Sequence, residues 1–444
     1  MLSGWGRYPV ASATELEDPD LEKITDGAVL TRGLGRSYGD ASLPPAGRGP
    51  VASSLRADRV LSFDERSGVL RAEAGLRLDR LIEMFLPRGF FVPVTPGTRY
   101  VTLGGMVAAD VHGKNHHAAG TIGAHVRSIR MRFPDGRVED VTGETHPEIF
   151  WATLGGMGLT GHILDVTLVL ERVPSSSIIG TSRTFVDLES LIDALEDASH
   201  RWPFTVAWSD LMARGGSFGR GILFYGRWAS PEQAALIHHR ELPRVVVPRR
   251  VPATFLSNAT IRAYNALRYN LARQSHARDG ADGTVGSALS FFYPLDIVEN
   301  WNVLYGRGGL TQYQCVLPRD ATMRSYRRIV DIAGSGGPGP FLAVIKDYGA
   351  EGKGMLSFPM PGISFALDFP IHAGTAALVS RLNEAVIDAG GRIYLAKDAF
   401  TTAEQFARME SRLERFLDVR RRIDPDGTIA SGLSQRLFPD RRAS

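Results

Sequence analysis

Hydrophobic positions recur at two periods along this 444-residue chain, and the two periods divide it into elements. Ala28 to Thr31 reads as a short buried strand and Gly68 to Ala74 as an alternating one. Ser128 to Thr142 reads as a hairpin turning at Asp135-Gly136, and His162 to Leu170 as a further strand. Leu78, Leu81, Ile82, Phe85 and Leu86 fall at helical spacing, and Pro87 and Gly89 stop that helix. The first third is therefore strands joined by Gly-rich loops. From Thr184 the chain reads as strand, helix (Leu188 to Ala198) and strands again. Strands are expected at Ser290 to Asp296, Gly309 to Leu317, Phe341 to Lys346 and Ile363 to Phe369. Helices are expected at Thr322 to Ile332 and Thr375 to Ala389, giving a sheet with helices on one face. A last helix follows Thr401 and Thr402, with Phe406, Met409, Leu413 and Phe416 as its apolar stripe.

One stretch does not obey either period. Val101 to Gly123 reads VTLGGMVAADVHGKNHHAAGTIG, too rich in Gly and Ala for a core strand and too apolar at its start for a loop. Gly104 and Gly105 allow close approach of backbone to a ligand. Arg32-Gly33-Leu34-Gly35-Arg36-Ser37-Tyr38-Gly39-Asp40 follows a strand, as a phosphate-cradling turn does. The dinucleotide-binding version needs a helix directly after the glycines. Ala41-Ser42-Leu43-Pro44-Pro45 cannot start one, so a loop-type cradle is expected, with a plain surface turn as the alternative.

Composition narrows the classes. A net charge of +3 does not suggest a nucleic-acid partner, and the single cysteine, Cys315, excludes an internal disulfide. Adjacent His116 and His117 have no acidic third ligand beside them, so no metal is expected. No run approaches the roughly 18 apolar residues of a membrane span, and the N-terminus lacks a signal-peptide pattern. A cytoplasmic protein is the expectation. Arg240 to Arg278 leaves peripheral membrane attachment open. It holds eight arginines (Arg240, Arg244, Arg249, Arg250, Arg262, Arg268, Arg273, Arg278) and one acid, Glu241, among apolar and aromatic residues. That is either a solvated basic excursion or a patch for anionic lipid head groups.

The motifs taken together resemble the vanillyl-alcohol-oxidase type of FAD-binding flavoprotein, in particular its polyprenyl-phosphoryl-ribose 2-oxidase branch. They are RGLGRSYGD (Arg32 to Asp40), PVTPGTRYVTLGG (Pro93 to Gly105), DVHGKNHHAAG (Asp110 to Gly120) and FWATLGGMGLTG (Phe150 to Gly161). LSFPMPG (Leu356 to Gly362), DFPI (Asp368 to Ile371) and AKDAFTTAEQF (Ala396 to Phe406) continue the resemblance over nearly the whole chain. It implies a two-domain α+β fold: an FAD-binding part at 1–174, an antiparallel-sheet substrate part flanked by helices at 175–391, and a C-terminal segment, 392–444, returning to the FAD part.

The same resemblance implies the site. The FAD contacts would be Arg32, Gly33, Leu34, Gly35, Arg36, Ser37, Tyr38, Gly39, Asp40, Ala41, Gly97, Thr102, Leu103, Gly104, Gly105, Ala109, Asp110, Val111, His112, Ile163 and Tyr394. Lys397 would be the active-site lysine, with His112 as base or flavin-side partner. Lys114, Trp208, Tyr293, Gln312, Gln314, Lys346, Ser364, Ala366 and Lys397 would line the substrate pocket. Many relatives carry a flavin-linking histidine where this chain has Arg36, so non-covalent FAD is implied. Three departures concern the pocket. Ala366 replaces the family's cysteine, Ser364 its asparagine, and Phe292 a usual tyrosine in FFYPLD. The implied reaction is oxidation of a sugar 2-hydroxyl to the ketone, with a separate NAD(P)H-dependent short-chain reductase completing an epimerisation in cell-wall arabinan precursor synthesis. An aldonolactone or alditol oxidase on a soluble sugar is the alternative.

Overall fold

The structure is a computed structural model that describes residues 1–235, 245–248, 257–276, 283–335 and 339–439. A five-stranded antiparallel sheet occupies the first part, in the order Val138–Thr142, Val126–Arg132, His162–Val169, Val69–Glu73, Val60–Asp64. Period-2 alternation buries Leu70, Ala72, Ile129, Met131, Val166 and Leu168 on one face. The helix Leu78–Phe85 lays its expected stripe, Leu78, Leu81, Ile82 and Phe85, into that core. Each such side chain contributes about 2 kcal/mol by leaving water. A short parallel sheet of Glu15–Glu17, Val51–Ser53 and Leu30–Arg32 delivers the chain into the Arg32 to Asp40 loop.

The second sheet has eight antiparallel strands: Thr284–Ser287, Ser177–Phe185, Gly221–Trp228, Phe204–Ser209, Ala343–Tyr348, Gly362–Pro370, Leu310–Pro318 and Arg392–Ile393, in that spatial order. Alternation splits its residues cleanly. Ala207, Leu223, Tyr313, Cys315, Ala343, Ile345, Phe365 and Leu367 face three helices, Leu188–Ser199, Met323–Ser335 and Thr375–Asp388. Val206, Trp208, Phe224, Gln312, Gln314, Val344, Lys346 and Ala366 point the other way, into a large cavity. The helices on one face thus leave the opposite face free for ligand.

The segment after residue 391 touches both parts. Ile393 pairs with Cys315 at the edge of the large sheet, while Arg436 reaches Asp40 of the first loop with a two-pronged ion pair at 2.7 and 2.9 Å.

Two expectations are corrected. Ser290 to Asp296 is not a strand. It forms the helix Ala288–Phe292 and a 3₁₀ turn at Pro294–Ile297, because Phe292 gains a packed aromatic cluster with Phe91, Phe204 and Trp228. That packing overrides strand propensity. The single helix expected after Thr402 is two, Ala403–Met409 and Leu413–Ile423. The buried Glu410 adopts extended backbone between them and accepts from the amide and guanidinium of Arg412. The arginine-rich segment is described only in part: Arg240, Arg244, Arg249, Arg250 and Arg278, with Glu241, lie outside the described residues. Among the described residues no helix is long and apolar enough to cross a membrane.

Candidate active site

A cavity of about 1150 Å³ lies between the Gly33 to Ala41 loop, the helix Leu103–Ala108 and the open face of the large sheet. Drug-sized ligands occupy pockets of roughly 300–1,000 Å³, so this one suits a dinucleotide-sized cofactor with a substrate beside it.

The loop is held rigidly from behind. Arg32 donates to Ser42 O and Oγ at 3.1 and 3.0 Å and to Ser3 O at 2.8 Å. Gly39 has no room for a side chain, since a Cβ there would sit 2.0 Å from Asp398 O. The Tyr38 amide donates to Ala396 O at 2.9 Å. The backbone amides of Leu34, Gly35, Arg36 and Ser37 find no acceptor among the described residues. Four successive free N–H groups make a nest for an anion. The glycine helix differs. Leu103 N donates to Leu76 O, Gly104 N to Ala74 O and Gly105 N to the Thr102 cap. Gly104 serves packing, as a Cβ there would lie 2.8 Å from Ala74 Cβ, while Gly105 is exposed to the cavity. The free donors for a pyrophosphate are therefore in the first loop, and the residues there fit FAD.

The cavity also holds three buried lysines, Lys114, Lys346 and Lys397. Lys114 donates to Phe291 O and Phe292 O at 2.5 and 2.9 Å, and burial lowers its pKa to about 7. Lys346 also lines the cavity, has no carboxylate partner among the described residues, and is lowered to about 8 by burial. Lys397 Nζ lies 4.0 Å from the centre of the Tyr38 ring. Burial pushes its ammonium down, and the Asp368 carboxylate opposes that. Asp368, fully buried, accepts from Gln312 Nε2 at 2.5 Å and is pushed up by burial, with Lys397 pulling it back. His112 is buried at 5% exposure, with Nδ1 2.9 Å from the Tyr348 hydroxyl and Nε2 3.3 Å from Gln314 Nε2. Burial, then Lys346, His116 and Lys397, push its pKa well below the ordinary histidine range. His112 is thus a neutral hydrogen-bonding group.

The cavity brings together Gly33 to Tyr38, Ala41, Gly97, Thr102, Gly104, Gly105, Ala109, Val111, His112, Ile163 and Tyr394 of the cofactor set. It also gathers Lys114, Trp208, Gln312, Gln314, Lys346, Ala366 and Lys397 of the substrate set. Arg32, Gly39 and Asp40 stand behind the loop, and Leu103 faces the core. Asp110, with φ +40, accepts from Gly123 N and Ser357 Oγ and fixes the turn before His112. Tyr293 is bonded to Thr95 Oγ1 at 2.5 Å, and Ser364 Oγ lies 3.5 Å from Gln314 Nε2, both outside the cavity lining. His116 accepts from Gly349 N, and His117 bonds Trp202 O.

Sequence reasoning missed three contributors. Tyr348 is two residues beyond Lys346 on the same strand, so period 2 already placed it on that face. Asp368 sat in a quoted motif without a role. Arg268, counted only as part of a basic patch, lies 4.6 Å over the Trp208 ring inside the cavity.

Comparison with known proteins gives the context. The profile of the FAD binding domain family matches residues 23–142. The chain is 36% identical to the decaprenylphosphoryl-beta-D-ribose oxidase of Mycolicibacterium smegmatis, over 98% of this chain and 97% of that protein. It is 34% identical to an uncharacterised protein of Streptomyces coelicolor, over 82% of this chain and 100% of that one. A putative D-arabinono-1,4-lactone oxidase of Neurospora crassa is 25% identical over 34% of this chain and 26% of its own length.

Proposed function

The chain belongs to the decaprenylphosphoryl-beta-D-ribose oxidase family of FAD-binding proteins, and from that premise we propose that it oxidises the 2-hydroxyl of a polyprenyl-phosphoryl-β-D-ribose to the 2-keto sugar. It is an FAD-dependent oxidoreductase. One observation supports the substrate class most: a single cavity holds both the free amides of Leu34 to Ser37 and the side chains of Gln312, Gln314, Lys346 and Lys397. Amides accept from and donate to sugar hydroxyls, and a buried lysine with a lowered pKa can take a proton from one.

Bound FAD supplies the two-electron acceptor for the hydride that leaves the sugar carbon. The Leu34 to Ser37 amides hold its pyrophosphate, without a covalent link because Arg36 offers no nucleophile and Cys315 is buried on the far side of the sheet. Gln312 and Gln314 orient the sugar. Neutral Lys397 takes the proton of the 2-hydroxyl, and Asp368 stabilises the ammonium that forms. Neutral His112 fixes Gln314 and Tyr348. The apolar walls at Val206, Phe224 and Val344 exclude water. In this reading residues 1–174 form the FAD-binding domain and 175–391 the substrate domain. A separate NAD(P)H-dependent reductase completes the epimerisation.

Anaerobic mixing of the yellow protein with farnesylphosphoryl-β-D-ribose tests the reading. Bleaching of the flavin by that compound, and not by xylitol or gulonolactone, is expected. The reverse pattern would make it a soluble-sugar oxidase. Acid precipitation should release the flavin into the supernatant.

A further inference from the structure

The helix Asn258–His276 has an inner face and an outer face of unusual character. Inward, Ile261, Asn265 and Tyr269 are buried at i, i+4 and i+8, and Asn265 donates to Asp210 Oδ1 at 2.8 Å. Arg268, next to Tyr269, sends its guanidinium over the Trp208 ring and into the cavity. Three other part-buried arginines are paired, Arg220 with Asp210, Arg412 with Glu410 and Arg436 with Asp40, while Arg36 of the cofactor loop lies over the Trp5 ring. Among the described residues no carboxylate pairs with Arg268, and the Tyr264 hydroxyl is a polar neighbour. A desolvated guanidinium without an anion is costly unless a ligand supplies one.

Outward, Tyr264, Leu267 and Leu271 are 46%, 60% and 56% exposed at i, i+3 and i+7, a continuous apolar row. Tyr264 also lines the cavity, so the row begins at its rim. Val245 and Val246, both more than half exposed, pair in parallel with Val298 and Glu299 of the cavity wall, and the partly exposed Leu295 lines it too. Scattered single hydrophobes on a surface need no explanation, but a group gathered at one rim marks a binding surface.

The sheet gives the scale. Gln314, Ala366, Val344 and Trp208 are cross-strand partners in one row. Three strand spacings span roughly 14 Å. That row is long enough for a sugar at the Gln314 end and its phosphate at the Trp208 end.

We propose that Arg268 binds the phosphate of the polyprenyl-phosphoryl sugar and that the prenyl chain lies along Tyr264, Leu267 and Leu271. This rests on the substrate class argued above and assigns its anionic and apolar subsites. Trp208 packs against the guanidinium at 4.6 Å and limits its freedom, and a guanidinium fork suits bidentate recognition of phosphate oxygens.

Equilibrium dialysis of labelled farnesyl phosphate against the FAD-loaded protein tests it without turnover. Arg268→Gln should weaken binding at least tenfold, Arg268→Lys should recover part, and farnesol should bind both proteins alike. Leu267→Ser with Leu271→Ser should weaken farnesyl phosphate and farnesol together. Retention of the flavin spectrum certifies that each variant is folded. Unchanged farnesyl phosphate affinity in Arg268→Gln overturns the proposal, as does a loss carried instead by Lys346→Gln. If the leucine variants lose binding to phosphatidylglycerol vesicles but keep farnesyl phosphate, the row is a membrane contact and the proposal fails. A wild-type protein that binds farnesyl phosphate but is not bleached by the prenyl-phosphoryl ribose would sink the proposed reaction and leave the subsite standing.

Discussion

Lys397 Nζ lies 4.0 Å from the centre of the Tyr38 ring, which joins the C-terminal segment to the loop that carries the free amides. The same junction is fixed by the Tyr38 amide on Ala396 O and by Gly39 packed on Asp398 O. The proposed proton acceptor and the cofactor cradle therefore cannot move independently.

Lys397→Met should keep FAD and lose flavin reduction by about 100-fold or more, the scale of losing one positioned general base. Because burial lowers the Lys397 ammonium, the wild-type reduction rate should rise with pH through the near-neutral range as the amine becomes free. Asp368 holds the proton on Lys397, so Asp368→Asn should move that limb to lower pH. Stopped-flow absorbance across pH 6 to 9 checks both, and a limb that stays put in Asp368→Asn would break the pairing.

Arg436 bonds Asp40 through two nitrogens and reaches Asp398 Oδ2 at 2.7 Å and Thr401 O at 2.6 Å. Arg436→Met strands two buried carboxylates and should cost about 3 kcal/mol in urea unfolding of the FAD-loaded protein. Adding Asp40→Asn and Asp398→Asn should restore part of that loss.

Three buried histidines predict acid sensitivity. Burial lowers His112 well below the ordinary range, His116 to about 3 and His162 to about 4. The unfolded chain then binds protons that the folded chain refuses. Stability is fully present above the unfolded pKa of about 6.5 and is lost as pH falls toward the folded values, at up to about 1.4 kcal/mol per pH unit for each histidine. Between pH 6 and 5, His162→Gln should flatten the slope of unfolding free energy by nearly one such share. An unchanged slope would mean that His162 is charged in the folded state.

Thiol-directed reagents should leave activity intact. Ala366 stands in the cavity wall without a thiol, and Cys315 is fully buried against the helices with its pKa pushed up to about 12. Ala366→Cys should create sensitivity to a thiol-reactive substrate analogue, read as a mass increment on the intact protein. Labelling of the unaltered folded protein would contradict the burial of Cys315.

Much of this was legible along the chain. Leu78, Leu81, Ile82 and Phe85 announced a helix because an amphipathic stripe can be buried only at that spacing. The turn at Asp135-Gly136 appeared where expected, between Val126–Arg132 and Val138–Thr142. Pro44 and Pro45 barred a helix after the first Gly-rich loop, and that loop is indeed unsupported by one. The residues at Ser290 to Asp296 misled, because Phe292 is placed by distant Phe91, Phe204 and Trp228, which local pattern does not contain.

The Val101 to Gly123 stretch divides the two kinds of knowledge. Sequence alone determined that its glycines permit close approach of backbone, since the lack of a Cβ belongs to the residue itself. It also determined which face of each strand each residue takes, because period 2 is a property of extended backbone. Only the tertiary structure decided what approaches. Gly104 meets Ala74, the free amides lie in the other loop, and Lys397 lies over Tyr38 and feels the charge of Asp368. Hydrogen-bond satisfaction and burial depend on partners far along the chain, and those partners set both the anion nest and the lowered lysine pKa.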